Sequence, residues 1–540
     1  MKPYKFLTFS LFTLHFSLFI SLAGAQGVWC PDNGDGTYTN PVLYADYSDP
    51  DVCVVGNDYY LTASSFNCIP GLPILHSKDL VNWGIIGHAL QELESKELFD
   101  KPQHGKGVWA PAIRYHEGEF YIYWGDPDQG IFMVKAKDPA GVWEKPVCVI
   151  AGKGMIDPCP LWDDGRCYLV NGWANSRAGF NSVLSVRELS ADGTRSIGLP
   201  RIVFDGGQEN HTTEGPKFYK RDGWYWIMCP AGGVAMGWQL AMRSKSPYGP
   251  YEWKRVMWQG KTDINGPHQG AWVHTSFDED WFLHFNDKGA YGRVVYLQPV
   301  DWSSGWPIMG KNGEPVTTYR KPMSMNCEPL AMNQESDEFN DGALGKQWQW
   351  HANYHQFYGM PTANGTMRLY TYDLEGSLWD APNLLLQKPT APRFTATAKV
   401  RFASKEEHQY GGAVMMGRDY SALVICREGD TFQLQRHTCI GADKGKVEQV
   451  TNLTTLQPTE RDTIPYAPAI YLDLYLRMTV KDGQCTFSYS ADGKRFSQAG
   501  EVFTMKEGKW IGAKFGFVAE QRNRQSNRGW LNVDWIHITK

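Results

Sequence analysis

A turn followed by a short aromatic strand recurs five times in the first 300 residues, and this repeat constrains the fold more than any other feature. The copies are centred on Tyr60, Tyr121, Tyr168, Trp226 and Phe282. The spacings between these residues are 61, 47, 58 and 56. The intervening segments contain short alternating apolar stretches, interrupted by turn residues, and no strong helical period. Five units of about 50 residues, each long enough for four strands, predict a five-bladed β-propeller.

The second half of the chain lacks this repeat but is also rich in alternating strands. Residues 394–402 and 472–480 are examples of such alternation. About 200 residues with this pattern predict a β-sandwich of the jelly-roll type. We therefore expect an all-β protein with a signal peptide over 1–25, a propeller over 26–325, a linker over 326–336 and a sandwich over 337–540.

Five chemically informative residues precede the repeat centres at similar distances. Asp49 and Asp157 stand eleven residues before their centres, Trp109 and Glu214 twelve, and His268 fourteen. If each centre lies on the second strand of a blade, these residues occupy one position on successive innermost strands. We therefore expect them to converge at one end of the central channel. A single Asp-Pro step usually makes a turn, but carboxylates repeated at this position in three blades favour a functional site.

Three carboxylates in one site suit the cleavage of glycosidic bonds. This reaction needs one protonated carboxyl group for the leaving oxygen and one ionised carboxylate that activates water or attacks carbon. A third carboxylate raises the pKa of the acid by like-charge repulsion. The ring of Trp109 offers a face for a sugar. No G-x-S-x-G, P-loop or H-E-x-x-H motif points to another chemistry.

The net charge restricts the partners that the protein can bind, and the first 25 residues indicate the compartment to which it is sent. The formal charge is −5 without a Lys/Arg cluster, which argues against a nucleic-acid partner. Lys2 and Lys5, an apolar stretch to Leu22 and the small residues 23–25 predict a cleaved secretory signal. Beyond it no segment is apolar for long enough to span a membrane. We expect an exported protein, periplasmic or extracellular, with no membrane span after cleavage.

Several segments of the first half carry a family resemblance. They include Ser48–Asp51, Gly107–Pro111, Thr213–Pro216 and Ser246–Tyr251. With them the chain resembles glycoside hydrolase family 43, in particular its β-xylosidase and α-L-arabinofuranosidase branch. Residues 337–540 resemble the concanavalin-like C-terminal domain of many such enzymes. The resemblance implies a five-bladed propeller that cleaves with inversion, and a second domain whose loop often closes one side of the pocket.

The resemblance also implies roles for individual residues. Asp49 would be the general base, Glu214 the general acid and Asp157 the residue that raises the pKa of the acid and orients it. Phe66 and Trp109 would wall the sugar pocket, and Arg293 would bind sugar hydroxyls. His268 would help to hold a Ca²⁺ ion, mostly through water and without a part in the chemistry. No organic cofactor is implied.

These inferences predict an exo-acting, inverting glycosidase whose substrate is an oligosaccharide or polysaccharide. It would release terminal β-D-xylose or α-L-arabinofuranose from fragments of plant hemicellulose or pectin. Two alternatives remain open at this point: an endo-acting arabinanase, and a non-catalytic glycan-binding propeller. The second domain would be a structural cap, a wall of the pocket or an autonomous sugar-binding module.

Overall fold

The computed structural model describes residues 27–325, 334–463, 468–522 and 527–540. The predicted signal peptide over 1–25 lies outside the described residues, as does most of the predicted linker over 326–336.

Consecutive strands of the first half form five four-stranded antiparallel sheets, which are the blades of the propeller. Blade 1 consists of Asp51–Val55, Asp58–Thr62, Gly71–Ser77 and Gly84–Leu90. Blade 2 consists of Trp109–His116, Glu119–Asp126, Gly130–Ala136 and Val147–Ala151. Blade 3 consists of Met155–Asp163, Arg166–Trp173, Val183–Leu189 and Arg201–Asp205. Blade 4 consists of Lys217–Arg221, Trp224–Ala231, Trp238–Ser244 and Glu252–Trp258. Blade 5 consists of His268–His274, Asp280–Asp287, Arg293–Asp301 and Ile308–Met309.

Each of the five repeat centres lies on the second strand of its blade, as the sequence predicts. Side chains alternate between the two faces of a strand, so each blade packs against both of its neighbours. In the second strand of blade 2, Tyr121 and Tyr123 pack towards blade 3, whereas Phe120 and Ile122 pack towards blade 1. The aromatic repeat therefore supplies the apolar layers between blades.

The ring of blades closes at two places. The first strand of blade 5 contacts the first strand of blade 1. A two-stranded sheet of Thr37–Thr39 and Thr318–Arg320 joins the start of the propeller to its end. The predicted propeller followed by a β-sandwich is confirmed.

Two sheets enclose the core of the sandwich. The first contains Gln349–Trp350, Leu385–Gln387, Lys514–Gln521, Gln409–Met416, Tyr420–Glu428, Thr431–Cys439 and Gln449–Leu456, with Tyr372–Asp373 alongside. The second contains Gly359–Pro361, Met367–Tyr370, Trp530–Thr539, Arg393–Ser404, Ile470–Lys481, Gln484–Ser490 and Ser497–Gln498, with Glu460–Arg461 and Phe503–Thr504 alongside.

Helices are few and short in the described residues. The α-helices are Lys96–Phe99 and Asn175–Ala178, and the 3-10 helices are Gly289–Tyr291, Leu378–Asp380 and Ala442–Lys444. Across the described ranges we find no helix with the length and apolar character that crossing a membrane requires.

The sandwich docks against the propeller through backbone and carboxylate hydrogen bonds. Trp350 and Ile69 exchange backbone hydrogen bonds of 2.5 and 3.1 Å. The Asp46 carboxylate accepts from the backbone N–H of Arg293 at 2.8 Å and from that of Gly512 at 3.0 Å. Asp46 thus ties a loop of the sandwich to the start of the third strand of blade 5. This contact holds the sandwich loop beside the end of the channel.

Candidate active site

Most of the predicted site residues line one pocket of about 490 Å³ at the end of the propeller where the innermost strands begin. We call it the channel pocket. Six of the seven predicted residues line it: Asp49, Phe66, Trp109, Asp157, Glu214 and Arg293. The seventh, His268, is buried beside it and reaches Glu214. The structure therefore brings the predicted residues together, and their chemical roles remain predictions.

The five residues that precede the repeat centres occupy equivalent positions in their blades to within one residue. The repeat centres pair across the strands with Cys53, Arg114, Leu161, Tyr219 and Trp272. Asp49, Asp157 and His268 stand four residues before those partners, but Trp109 and Glu214 stand five before theirs. The difference between eleven and twelve residues in the sequence is thus a real offset along the backbone.

Asp49 and Asp157 share an unusual backbone conformation. Both have φ of 56°, in the left-handed region. Non-glycine residues there carry about 1–3 kcal/mol of strain and cluster at functional sites. The same strain at the same place in blades 1 and 3 indicates that the surrounding structure fixes both aspartates.

Three side chains hold the Asp49 carboxylate. Oδ2 accepts from the hydroxyls of Ser48 at 2.7 Å and Ser64 at 2.6 Å, and Oδ1 lies 3.3 Å from Nη1 of Arg293. The hydroxyl of Ser64 in turn accepts from the backbone N–H of Ala110 at 2.8 Å. These contacts fix the orientation of the carboxylate at the pocket wall.

Asp157 is the most buried of the three acids. Its side chain accepts from the backbone N–H of Gly215 at 2.7 Å, directly beside Glu214. Burial raises the pKa of Asp157 well above 3.8, and the neighbouring carboxylates of Glu214 and Asp49 raise it further. Like charges in a place poor in water disfavour full ionisation. This part of the pocket consequently holds a proton to higher pH than an ordinary aspartate would.

Glu214 is the most open of the three acids. Its side chain is 30% exposed, against 9% for that of Asp49. Its Oε1 lies 3.0 Å from Nε2 of the buried His268, which fixes the carboxyl group from behind. Glu214 can therefore meet a ligand while the protein holds its position.

Aromatic rings form the walls of the channel pocket. Phe66 and Trp109 meet edge to face, with ring centroids 6.4 Å apart. The indole N–H of Trp109 donates to the carbonyl of Gly105 at 3.0 Å, and the Arg177 guanidinium lies 5.5 Å from its ring. A sugar presents C–H faces that pack on such rings while its hydroxyls reach polar groups.

Sequence reasoning missed two kinds of residue in the pocket. Trp510 comes from the sandwich, and its ring lies 5.7 Å from the Arg293 guanidinium. The sequence carries no signal for it, because nothing in the strand pattern connects residue 510 to blade 5. Gln269 and Trp173 also line the pocket. Gln269 directly follows the predicted site residue His268 in the sequence. This position was the one signal that could have identified Gln269.

The raised pKa of Asp157 predicts an effect of pH on stability. Folding raises the pKa of Asp157 above 3.8, so ionised Asp157 destabilises the folded protein at higher pH. We expect Asp157→Asn to raise the melting temperature at pH 7, because the substitution removes the cost of an ionised carboxylate in this place. The gain should shrink as the pH falls through the raised pKa towards 3.8. Thermal unfolding of both proteins at several pH values measures this, and an equal gain at every pH would contradict it.

Comparisons with known proteins find relatives for both halves of the chain. Residues 38–307 match the model of glycosyl hydrolases family 43, and residues 336–539 match the model of the beta xylosidase C-terminal concanavalin A-like domain. The chain is 31% identical to a beta-xylosidase of Formosa agariphila, over 95% of this chain and 92% of that protein. It is 33% identical to a non-reducing end alpha-L-arabinofuranosidase of Bacteroides ovatus, over 74% of this chain and 78% of that protein.

Solved structures show the same two-domain arrangement. A family-43 protein from Bacillus licheniformis superimposes with a TM-score of 0.80 at 25% identity, over 93% of this chain and 99% of that one. A family-43 protein of Bacteroides ovatus superimposes with a TM-score of 0.78 at 27% identity, over 93% of this chain and 99% of that one.

Proposed function

The chain belongs to glycosyl hydrolase family 43 and is a glycosidase, and from this premise we propose that it is an inverting exo-enzyme that releases terminal pentoses. The sugar would be β-D-xylose or α-L-arabinofuranose, at the ends of hemicellulose or pectin fragments. The observation that carries the proposal is the meeting of Asp49, Asp157 and Glu214 in one pocket that a second domain borders. Relatives named as a beta-xylosidase and an arabinofuranosidase support the choice of sugars.

In the proposed reaction Glu214 and Asp49 act on opposite faces of the sugar. Glu214 gives its proton to the glycosidic oxygen, which leaves with the remainder of the glycan. Asp49 takes a proton from a water molecule, whose oxygen forms the new bond to the anomeric carbon. Asp157 lies beside Glu214 and helps to keep a proton in this part of the pocket. Product release and proton exchange with water then return both acids to their starting states.

The experiment that tests the activity is hydrolysis of 4-nitrophenyl β-D-xylopyranoside and 4-nitrophenyl α-L-arabinofuranoside. We expect turnover of at least one of them. For a cleaved β-xyloside, NMR of the first product should show α-xylose, as inversion requires. Binding of oligosaccharides without hydrolysis of any substrate would instead favour the glycan-binding alternative. Shortening of arabinan without hydrolysis of either small glycoside would favour the endo-acting alternative.

Trp510 supports exo action, because the sandwich places this ring in the wall of the pocket. We expect Trp510→Ala to raise KM for small glycosides by about 3- to 10-fold, since one ring contact with the sugar is lost. The ratio of polymer to small-substrate hydrolysis should rise as this side opens. Trp253→Ala, on the outer strand of blade 4, is the matched control, because Trp253 is 36% exposed and outside the pocket lining. Unchanged KM and product lengths in Trp510→Ala would count against a wall at this position.

We also propose that a Ca²⁺ ion binds near His268. The supporting observation is the Nδ1 atom of His268, which is buried without a hydrogen-bond partner in the described residues. When Nε2–H donates to Glu214, Nδ1 presents a lone pair. Within the described ranges no three His, Cys, Asp or Glu side chains are grouped as a metal site. Water would therefore supply most of the oxygen ligands that Ca²⁺ prefers.

A bound Ca²⁺ would supply positive charge next to the His268–Glu214 pair. Calorimetric titration with CaCl₂, on the native chain and on His268→Ala, tests the site without an activity assay. Heat of binding in both proteins would contradict the assignment to His268.

Export is the remaining part of the proposal, and the composition of residues 1–25 supports it. The mass of the protein recovered from its native host should correspond to a chain that begins at Gln26. An intact chain that retains Met1 in the cytoplasm would contradict export.

A further inference from the structure

We infer that the side-chain amide of Gln269 donates a hydrogen bond to one hydroxyl of the terminal sugar and makes the enzyme selective for that hydroxyl. The inference rests on the proposed function and adds a residue to its site. Gln269 lies on the first strand of blade 5 and lines the channel pocket together with Glu214 and Arg293. His268, its neighbour in the chain, reaches Glu214.

The amide nitrogen of Gln269 has unused hydrogen-bonding capacity. The residue is only 3% exposed, and Nε2 has no hydrogen-bond partner in the described part of the chain. Leaving a buried donor unpaired is unfavourable, because it loses water without gaining a partner. The acids and the arginine differ in this respect: Asp49, Asp157, Glu214 and Arg293 all have protein partners.

The structure holds this side chain tightly in place. Its carboxamide packs on Gly215, where an added Cβ would lie 2.6 Å from the Gln269 Cδ. Gly215 has φ of 57° and Gln269 itself has φ of 35°, both in the left-handed region. Glycine adopts this conformation freely, but Gln269 is strained in it, and such strain persists where the surroundings fix the conformation and concentrates at functional sites. The carboxamide is therefore held beside the acid before a ligand arrives.

The chemistry of the donor identifies the ligand group. An amide N–H is neutral and needs an acceptor, and every hydroxyl of a pentose offers lone pairs. Rotation about the last side-chain bond exchanges Nε2 and Oε1, so a sugar bound between the aromatic walls would pair with Nε2 once the carboxamide turns towards it. A site built to bond a hydroxyl discriminates strongly against an analogue that lacks it, because the protein donor is then left unpaired.

The test compares Gln269→Met and Gln269→Leu with the native protein. The substrates are the cleaved 4-nitrophenyl pentoside and its monodeoxy derivatives, with each rate corrected for uncatalysed hydrolysis. We expect the variants to lose about 10- to 100-fold in kcat/KM on the parent glycoside. On one deoxy derivative they should match the native protein, since the hydroxyl that Gln269 would contact is already absent. Melting temperatures establish that each variant folds.

Gln239→Met is the matched control. Gln239 is also buried, at 1% exposure, and its Oε1 also lacks a partner among the described residues, but it lies outside the pocket lining. This control should leave discrimination between the parent and every deoxy derivative unchanged.

Native discrimination at every hydroxyl in both Gln269 variants would overturn the inference. An equal loss on all substrates is one form of this result, and it is expected if Gln269 acts only by packing against Gly215. Failure of the proposed function would show separately, because the native protein would then hydrolyse neither parent glycoside.

Discussion

Glu214→Gln is expected to lower kcat on 4-nitrophenyl glycosides by about 10²- to 10⁴-fold, the usual contribution of a general acid. The amide keeps the size of the side chain but has no acidic proton for the leaving oxygen. On a 2,4-dinitrophenyl glycoside the loss should be much smaller, because this leaving group departs without protonation. Steady-state kinetics on the two substrates separate a missing proton from a damaged pocket.

The control for this experiment is Glu209→Gln. Glu209 lies five residues earlier in the chain and is exposed, so the substitution should leave both rates within about twofold of the native values. Equal losses of the Glu214 variant on the two leaving groups would argue against its role as the acid. The buried neighbour Asp157 would then become the candidate proton donor.

Asp49→Asn is expected to abolish measurable turnover with both leaving groups, a loss of at least about 10²- to 10⁴-fold. Water must lose a proton to the base whichever group departs, so a better leaving group cannot compensate. Asn also weakens the contact with Arg293, which lies 3.3 Å from Oδ1 in the native protein. Kinetics with both substrates, together with calorimetric binding of the free pentose, distinguish lost chemistry from lost binding.

Asp263→Asn provides the matched control, since this aspartate is exposed and far from the first strand of blade 1 in sequence. Its kinetics should match those of the native protein. If Asp49→Asn kept its rate on the dinitrophenyl glycoside while losing it on the nitrophenyl one, Asp49 would behave as an acid. That result would reverse the proposed roles of Asp49 and Glu214.

The sequence predicted the propeller because all five blades pack against their neighbours in the same way. Each blade must present apolar side chains to two neighbours, so an aromatic residue recurs on each second strand and is visible as a repeat. The site followed from the same regularity. Equivalent strands begin at the same end of the channel, which places Asp49, Asp157 and Glu214 together.

The repeat did not resolve the position of each residue within its blade. Trp109 and Glu214 lie one position earlier than Asp49 and Asp157, relative to the cross-strand partners of the repeat centres. Bulges interrupt the first strand pair of blades 2, 3 and 5. The offset does not follow these bulges, because blade 4 has the offset without a bulge, whereas blades 3 and 5 have bulges without the offset.

The amino-acid sequence by itself determined the five blades, the second all-β domain and the acids that meet at the channel, because each follows from periodicity and residue type. Only the tertiary structure decided which residues complete the pocket. Trp510 enters it from a sandwich loop near Gly512, and the Asp46 carboxylate bonds the backbone of both Arg293 and Gly512 across the domain interface. The raised pKa of Asp157 depends on burial and on neighbouring charges. Contacts between residues distant in the chain create both properties, so no local pattern encodes them.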